Sequence, residues 1–171
     1  MSLSFTADTT KDNVFTQVEN YLKEKNIRID KQDQTRPWGG FFVIDETQAE
    51  LFISHYFPHL KKEDLLISGK LSPKILVVAP QKRLSWQYHH RRAEIWKLIG
   101  GEAAVITSDT DEEKEETILK NGDIIQLKQG ERHRLIGTNQ WGIIAEIWQH
   151  THESHPSDED DIIRVQDDFG R

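Results

Sequence analysis

The sequence predicts a mainly β fold: an antiparallel sandwich or jelly roll, with an N-terminal helix and one further short helix. Three observations predict it. From about residue 74 onward the apolar residues alternate with a period of two. Turn signals punctuate that region: "GG" at Gly100 and Gly101, "NG" at Asn121 and Gly122, "QGE" from Gln129. Ahead of it lie two segments with helical spacing instead. At 171 residues the chain fits one domain and can bury a single core.

Taken in order, residues 11–27 form an amphipathic helix, with Val14, Phe15, Val18, Tyr21 and Leu22 on one face and Thr10 or Asp12 as its cap. This helix is expected to pack on the outside of the main domain. Residues 1–34 then read as an N-terminal helical extension, and 35–171 as the main domain with a helical insertion at about 46–67. "TRPWGGFFVID" is a turn followed by a short strand. Leu51, Phe52, Tyr56 and Leu60 predict a second helix over 47–60, with Pro58 near its end. Strands follow near 74–79, 84–90, 93–99, 102–107, 115–119, 124–127, 132–136 and 142–149. The acidic run over 109–116 reads as an exposed hairpin tip, since its like charges lack a turn glycine. Beyond His150 the chain turns polar, but Ile162, Ile163, Val165 and Phe169 predict a tail that packs back.

Composition narrows the function. A formal charge of −7 opposes general nucleic-acid binding, because a phosphate backbone would repel it. No cysteine is present, which excludes disulfides, thiol catalysis and thiolate metal sites. No apolar run approaches the roughly 20 residues that span a bilayer, and "MSLSFTADTT" has neither the basic start nor the apolar stretch of an export signal. The expectation is a cytoplasmic protein with no membrane partner.

One strand region is unusually polar. In "RLSWQYHHRRAEIWKLIGG", Gln87 and His89 share a face by strand parity, and Glu94 returns to the same interior on the next strand. His133, in "GERHRL", supplies a fourth donor from a distant strand if the sheet curls closed. Nitrogen and oxygen donors of this kind suit one divalent ion, Zn²⁺, Mn²⁺, Fe²⁺, Co²⁺ or Ni²⁺, with the carboxamide of Gln87 the weakest ligand. His90 points to the other face unless a bulge intervenes. His150, His152 and His155 sit before Pro156 in a loop-like setting and are read as structural. Trp86, Trp96 and Trp148 are read as core, with Trp96 and Trp148 near a pocket mouth. Lys97 faces outward, and Arg91 and Arg92 lie in the connection.

The spacing resembles the cupin metal-binding pattern. Gln81 stands at the motif's first glycine, followed by Gln87, His89, Glu94 and Gly101. The second motif reads Gly122, Lys128, Gly130, His133, with lysine in place of proline. Four ordered words, "RPWGG", "KRLSWQYHHRRAE", "GERHRL" and "DEDDIIRVQDDFGR", resemble the type II mannose-6-phosphate isomerase group of small sugar-phosphate isomerase cupins, some labelled phosphoheptose isomerases. The resemblance implies a cupin double-stranded β-helix, a jelly-roll barrel, with the metal held by Gln87, His89, Glu94 and His133. It implies aldose–ketose isomerisation of a sugar phosphate of the mannose 6-phosphate or heptose phosphate type. Glu146 is the candidate base. Arg36, Arg83 and Arg164 are the candidate phosphate binders, with Arg83 preferred because its strand parity matches Gln87 and His89. A homodimer is compatible with the family. Two other readings stand beside it: a non-catalytic sugar-binding cupin, which needs the arginines but not Glu146, and a metal-dependent dioxygenase.

Overall fold

The computed structural model describes residues 3–67 and 69–171. Helix α1 (Lys11–Glu24) begins at Thr10, whose hydroxyl accepts from the Asn13 amide at 3.2 Å. It stops short of residue 27 because Asn26 turns left-handed at φ 59°, and the amides of Asn26 and Ile27 bond back to Lys23 and Leu22. Strand β1 (Ile29–Asp33) follows and pairs antiparallel with β2 (Gly39–Ile44). The expected helical extension is thus a helix plus an edge strand. The sequence of β1, "IDKQD", is largely exposed, so no hydrophobic alternation marks it.

The insertion departs from expectation too. One helix was predicted over 47–60. The chain instead forms a 3₁₀ turn (Glu46–Gln48), α2 (Ala49–Tyr56) and α3 (Lys62–Leu65). Pro58 explains the break: the residue before a proline is driven from helical angles, and Phe57 sits at φ −133°, ψ 53°.

The remaining strands are β3 (Lys74–Val78), β4 (Trp86–Tyr88), β5 (Arg92–Gly101), β6 (Ala103–Ser108), β7 (Thr117–Leu119), β8 (Ile124–Leu127), β9 (Arg132–Ile136), β10 (Gly142–His150) and β11 (Ile163–Gln166). They form two antiparallel sheets, ordered β1-β2-β3-β10-β5-β8 and β11-β4-β9-β6-β7. Four strands of each make the jelly roll; β1, β2 and β11 extend the edges. The tail therefore packs back as a strand, beside β4.

Alternation sorts the core into layers. Ile75, Val77, Ile143, Ala145 and Ile147 face outward and meet the apolar side of α1 and α2. Leu76, Val78, Leu98 and Ile144 face inward, against Val105 and Leu135 of the other sheet. Each such side chain contributes about 1.5–3 kcal/mol on burial, so the N-terminal helix is bonded into the fold by the sheet it covers. Two tight turns hold the barrel end. At Gly39, φ is 141° and a Cβ would lie 1.9 Å from the Val77 carbonyl, which explains the glycine of "RPWGG". Gln81 occupies the motif's glycine position and adopts φ 60°. Its amide and its side-chain nitrogen both donate to the Thr138 carbonyl, at 3.1 and 2.6 Å, which offsets the strain.

The acidic loop between β6 and β7 is exposed, as expected, but tethered. Trp86 Nε1 donates to the Asp111 carbonyl at 2.8 Å, and Arg132 and Arg134 pair with Asp111 and Glu113. Among the described residues no helix is long and apolar enough to cross a membrane.

Candidate active site

Three elements bring a histidine–glutamate–histidine group together inside the barrel. His89 leaves β4, Glu94 sits on β5 of the opposite sheet, and His133 on β9 is the Cα partner of Gln87. All three are buried, and their ligand atoms lie within 4.8 Å of one another. His89 Nε2 is 3.3 Å from Glu94 Oε1, and His133 Nε2 is 3.4 Å from Glu94 Oε2. Two donors each roughly 2.1 Å from one ion, at about 90–109°, stand about 3.0–3.4 Å apart.

The hydrogen bonds aim the imidazoles. Nδ1 of His89 donates to the Asp161 carbonyl at 2.6 Å, and Nδ1 of His133 to the Glu131 carbonyl at 3.0 Å. Each ring's Nε2 therefore carries the lone pair; that of His89 accepts from Arg92 Nη2 at 3.2 Å. Nε2 of His133 is buried and makes no hydrogen bond, its 3.4 Å approach to Glu94 notwithstanding. A buried polar atom without a partner is costly, and a cation between it and Glu94 would satisfy it. The residues fit a divalent ion.

Charge within the group points the same way. Burial pushes His89 down to about 3, so it stays neutral. Burial works on His133 likewise, but the Glu94 carboxylate outweighs it and shifts that imidazole upward. Burial opposes ionisation of Glu94; Arg92, His89 and His133 overcome it and hold the carboxyl well below its usual range. Arg92 lowers both histidines and lies close to His89, its Nη2 3.2 Å from Nε2, whereas Glu94 acts on His133 by charge and by hydrogen bonding. Arg92 also donates to Glu94 Oε1 at 2.8 Å and stacks 3.6 Å above the Trp148 ring.

Beside this group lies a cavity of about 410 Å³. On its wall Glu146 accepts from Trp96 Nε1 at 2.7 Å and from Trp148 Nε1 at 3.0 Å. Burial, then the nearby charge of Glu94, pushes Glu146 up to about 7, with Lys74 and Arg92 pulling against them. Lys74 is the Cα partner of Glu146; its Nζ lies 3.9 Å over the Trp148 ring and pairs with Glu159. Arg36, Arg164 and Arg171 also line the cavity. Burial, then the like charge of Arg171 with a smaller share from Arg36, pulls Arg164 downward.

The family model described as mannose-6-phosphate isomerase C-terminal matches residues 46–167. The chain belongs to that family. Its similarity to individual relatives is modest. It is 29% identical to the xanthan biosynthesis protein XanB of Xanthomonas campestris pv. campestris over 136 residues, 80% of this chain and 23% of XanB. It is 29% identical to the alginate biosynthesis protein AlgA of Pseudomonas aeruginosa, over 80% of this chain and 22% of AlgA. A mannose-1-phosphate guanylyltransferase of Salmonella montevideo is 25% identical over 88% of this chain and 26% of its own. The chain thus spans about a quarter of the length of these relatives. Among solved structures, hazelnut vicilin (Corylus avellana; TM-score 0.53, 19% identity, 77% of this chain and 35% of that one) shares the cupin fold. So does the capsular polysaccharide assembling protein CapF of Staphylococcus aureus (TM-score 0.51, 10% identity, 82% and 34%).

Within this family domain, the sequence-predicted residues divide. His89, Glu94 and His133 converge. Gln87 stands beside them, but its amide nitrogen faces His89 at 3.3 Å while its oxygen accepts from Ser85 Oγ at 2.6 Å. Glu146, Arg36 and Arg164 share the cavity. Arg83 does not: it lies outside, bonded through Nε and Nη2 to Asp168 at 2.6 and 2.9 Å. The parity argument fails because β4 begins only at Trp86. Leu84 and Gln87, three apart, both line the cavity, so alternation does not run back to Arg83. His90 stays out of the group and packs edge-on against Tyr88. His152 and His155 are exposed, whereas His150 is buried between Ser72 and Ser157. Lys97 faces the helices and bonds the Tyr56 carbonyl.

Sequence reasoning missed Arg92, Lys74 and Arg171. Arg92 is two residues from Glu94, and that parity would have placed it inward had the strand been started one residue earlier. Lys74 is masked at the head of "KILVV", an otherwise fully buried strand. Arg171 closes the last of the four quoted words, "DEDDIIRVQDDFGR", from which only Arg164 was singled out.

Proposed function

We propose that the chain is a metal-dependent aldose–ketose isomerase acting on a sugar phosphate, of the mannose 6-phosphate or heptose phosphate type. The observation that carries this reading is the placement of Glu146. A carboxyl pushed up to about 7 lines one cavity with Glu94 of the histidine–glutamate–histidine group and with Arg36, Arg164 and Arg171. The relatives' names, which include mannose-1-phosphate guanylyltransferase, favour a manno-configured hexose phosphate.

His89, Glu94 and His133 would hold the ion, with Gln87 at the margin. A divalent ion there would polarise the sugar carbonyl and stabilise charge developing on its oxygen. Glu146, poised between its two protonation states near neutral pH, takes the proton from C2. The C–H electrons form the C1–C2 double bond of an enediolate. The same carboxyl returns the proton to C1, whose new C–H bond takes the double-bond electrons, while the C2 hydroxyl proton passes to O1, leaving a ketone at C2 and a hydroxyl at C1. Trp96 and Trp148 hold both carboxylate oxygens in place. Arg36, Arg164 and Arg171 offer paired donors to the phosphate, and Lys74 a further cation.

The test is an isomerase assay on mannose 6-phosphate and sedoheptulose 7-phosphate, with Mn²⁺, Zn²⁺ or Co²⁺ added. Interconversion that a chelator abolishes supports the reading. Tight metal and sugar phosphate binding with no turnover would favour the non-catalytic cupin, and oxygen consumption with Fe²⁺ the dioxygenase.

A further inference from the structure

Residues 157–161, almost 70 positions beyond the β4–β5 connection, hold that connection from outside. Asp161 is 4% exposed. Its carboxylate accepts the amides of His90 and Arg91, each at 2.9 Å, and the hydroxyl of Ser157 at 2.6 Å. Its backbone carbonyl accepts Nδ1 of His89. The hydroxyl of Ser157 and the carbonyl of Asp158 accept from Arg92 Nη1 at 2.9 and 3.1 Å, and Arg92 in turn grips Glu94. One short segment therefore orients two of the three ligands, from two directions.

We propose that Asp161 is the positioning residue of the metal centre. Two adjacent backbone amides that point the same way need an acceptor with two oxygens. Only a carboxylate supplies both and still accepts the Ser157 hydroxyl. By fixing those amides it fixes the turn on which His89 and Arg92 sit, and its carbonyl sets the His89 tautomer, leaving Nε2 for the ion. The proposal rests on the reading of His89, Glu94 and His133 as metal ligands. It adds that metal affinity is governed from the C-terminal segment, by a residue that touches neither ion nor substrate.

The test is Co²⁺ affinity, measured by competition with a chromogenic chelator, together with the visible absorption band of the Co²⁺ form. Asp161→Asn should bind about 10–100-fold more weakly, with a shifted band. Ser157→Ala should move both readouts the same way by less, and carries the test if Asp161→Asn does not fold. Ile53→Val, in the helix-facing core, should lower the unfolding temperature while leaving both readouts unchanged. Asp161→Asn and Ser157→Ala with wild-type affinity and band would overturn the proposal, as would equal losses in Ile53→Val at matched stability. Wild-type protein that binds no divalent ion would instead overturn the metal reading beneath it.

Discussion

The two faces of the central strands β3 and β10 are made from alternate residues, and both are buried, yet they differ in chemistry. On β10, Ile143, Ala145 and Ile147 point at the helices, while Ile144, Glu146 and Trp148 point into the barrel. The inner face is itself divided. Leu76, Ile144 and Leu98 are register partners and form an apolar row. Two residues along, Lys74 and Glu146 are partners, and four residues along, Trp148 and Glu94 are, so the row turns polar. Burial alone does not separate core from site. The partner across the gap does, because the helices offer mainly apolar surface, with the Tyr56 carbonyl to receive Lys97, whereas the barrel end offers imidazoles, guanidiniums and a cavity.

The largest expected contrast comes from Glu146→Gln. It should lower kcat by about 100- to 10,000-fold, with metal affinity nearly unchanged; full turnover would return Glu146 to a structural role. Wild-type activity should rise with pH through about 7, as the carboxylate forms. In the metal-free protein the same shift acts on folding. A carboxyl raised from 4.5 to about 7 is fully stabilising below 4.5, and that contribution is lost as pH rises through about 7. Melting curves of Glu146→Gln between pH 5 and 8 should lack that slope.

The opposite face should respond in stability alone. Ile147→Ala should cost about 2–5 kcal/mol by denaturant unfolding, while the folded fraction keeps its metal affinity. An equal loss of metal affinity would mean that the two faces are not independent. Next in size is Arg164→Ala, expected to raise KM about 10–100-fold for a phosphorylated sugar and not for its unphosphorylated counterpart. Smallest is Arg83→Ala. Its pair with Asp168 is about a third exposed, so the change should cost less than about 1 kcal/mol and leave KM unmoved. A selective rise in KM for the phosphorylated sugar would restore Arg83 to the substrate site.

Much of this was legible in one dimension because strand alternation is local. The period of two put Gln87 and His89 on one face and Lys97 opposite Glu94, and the turn words located the hairpins; Glu146 came from the family resemblance. Alternation misled only where no strand exists to carry it, at Arg83, and where a strand's start was drawn late, at Arg92. The polar edge strand β1 and the break at Phe57 were invisible or underweighted, since neither alters hydrophobic spacing over enough residues to register.

The sequence by itself determined the jelly-roll class, the donor types and the strands that carry them, because each follows from periodicity and side-chain chemistry within a few residues. Only the tertiary structure decided which charges meet. His133 faces Glu94 from the other sheet, Lys74 pairs with Glu159, and Asp161 reaches back across some 70 residues to hold His89. Such contacts depend on how two sheets close and a tail returns. That closure reflects burial summed over the whole chain, which no short window of residues contains.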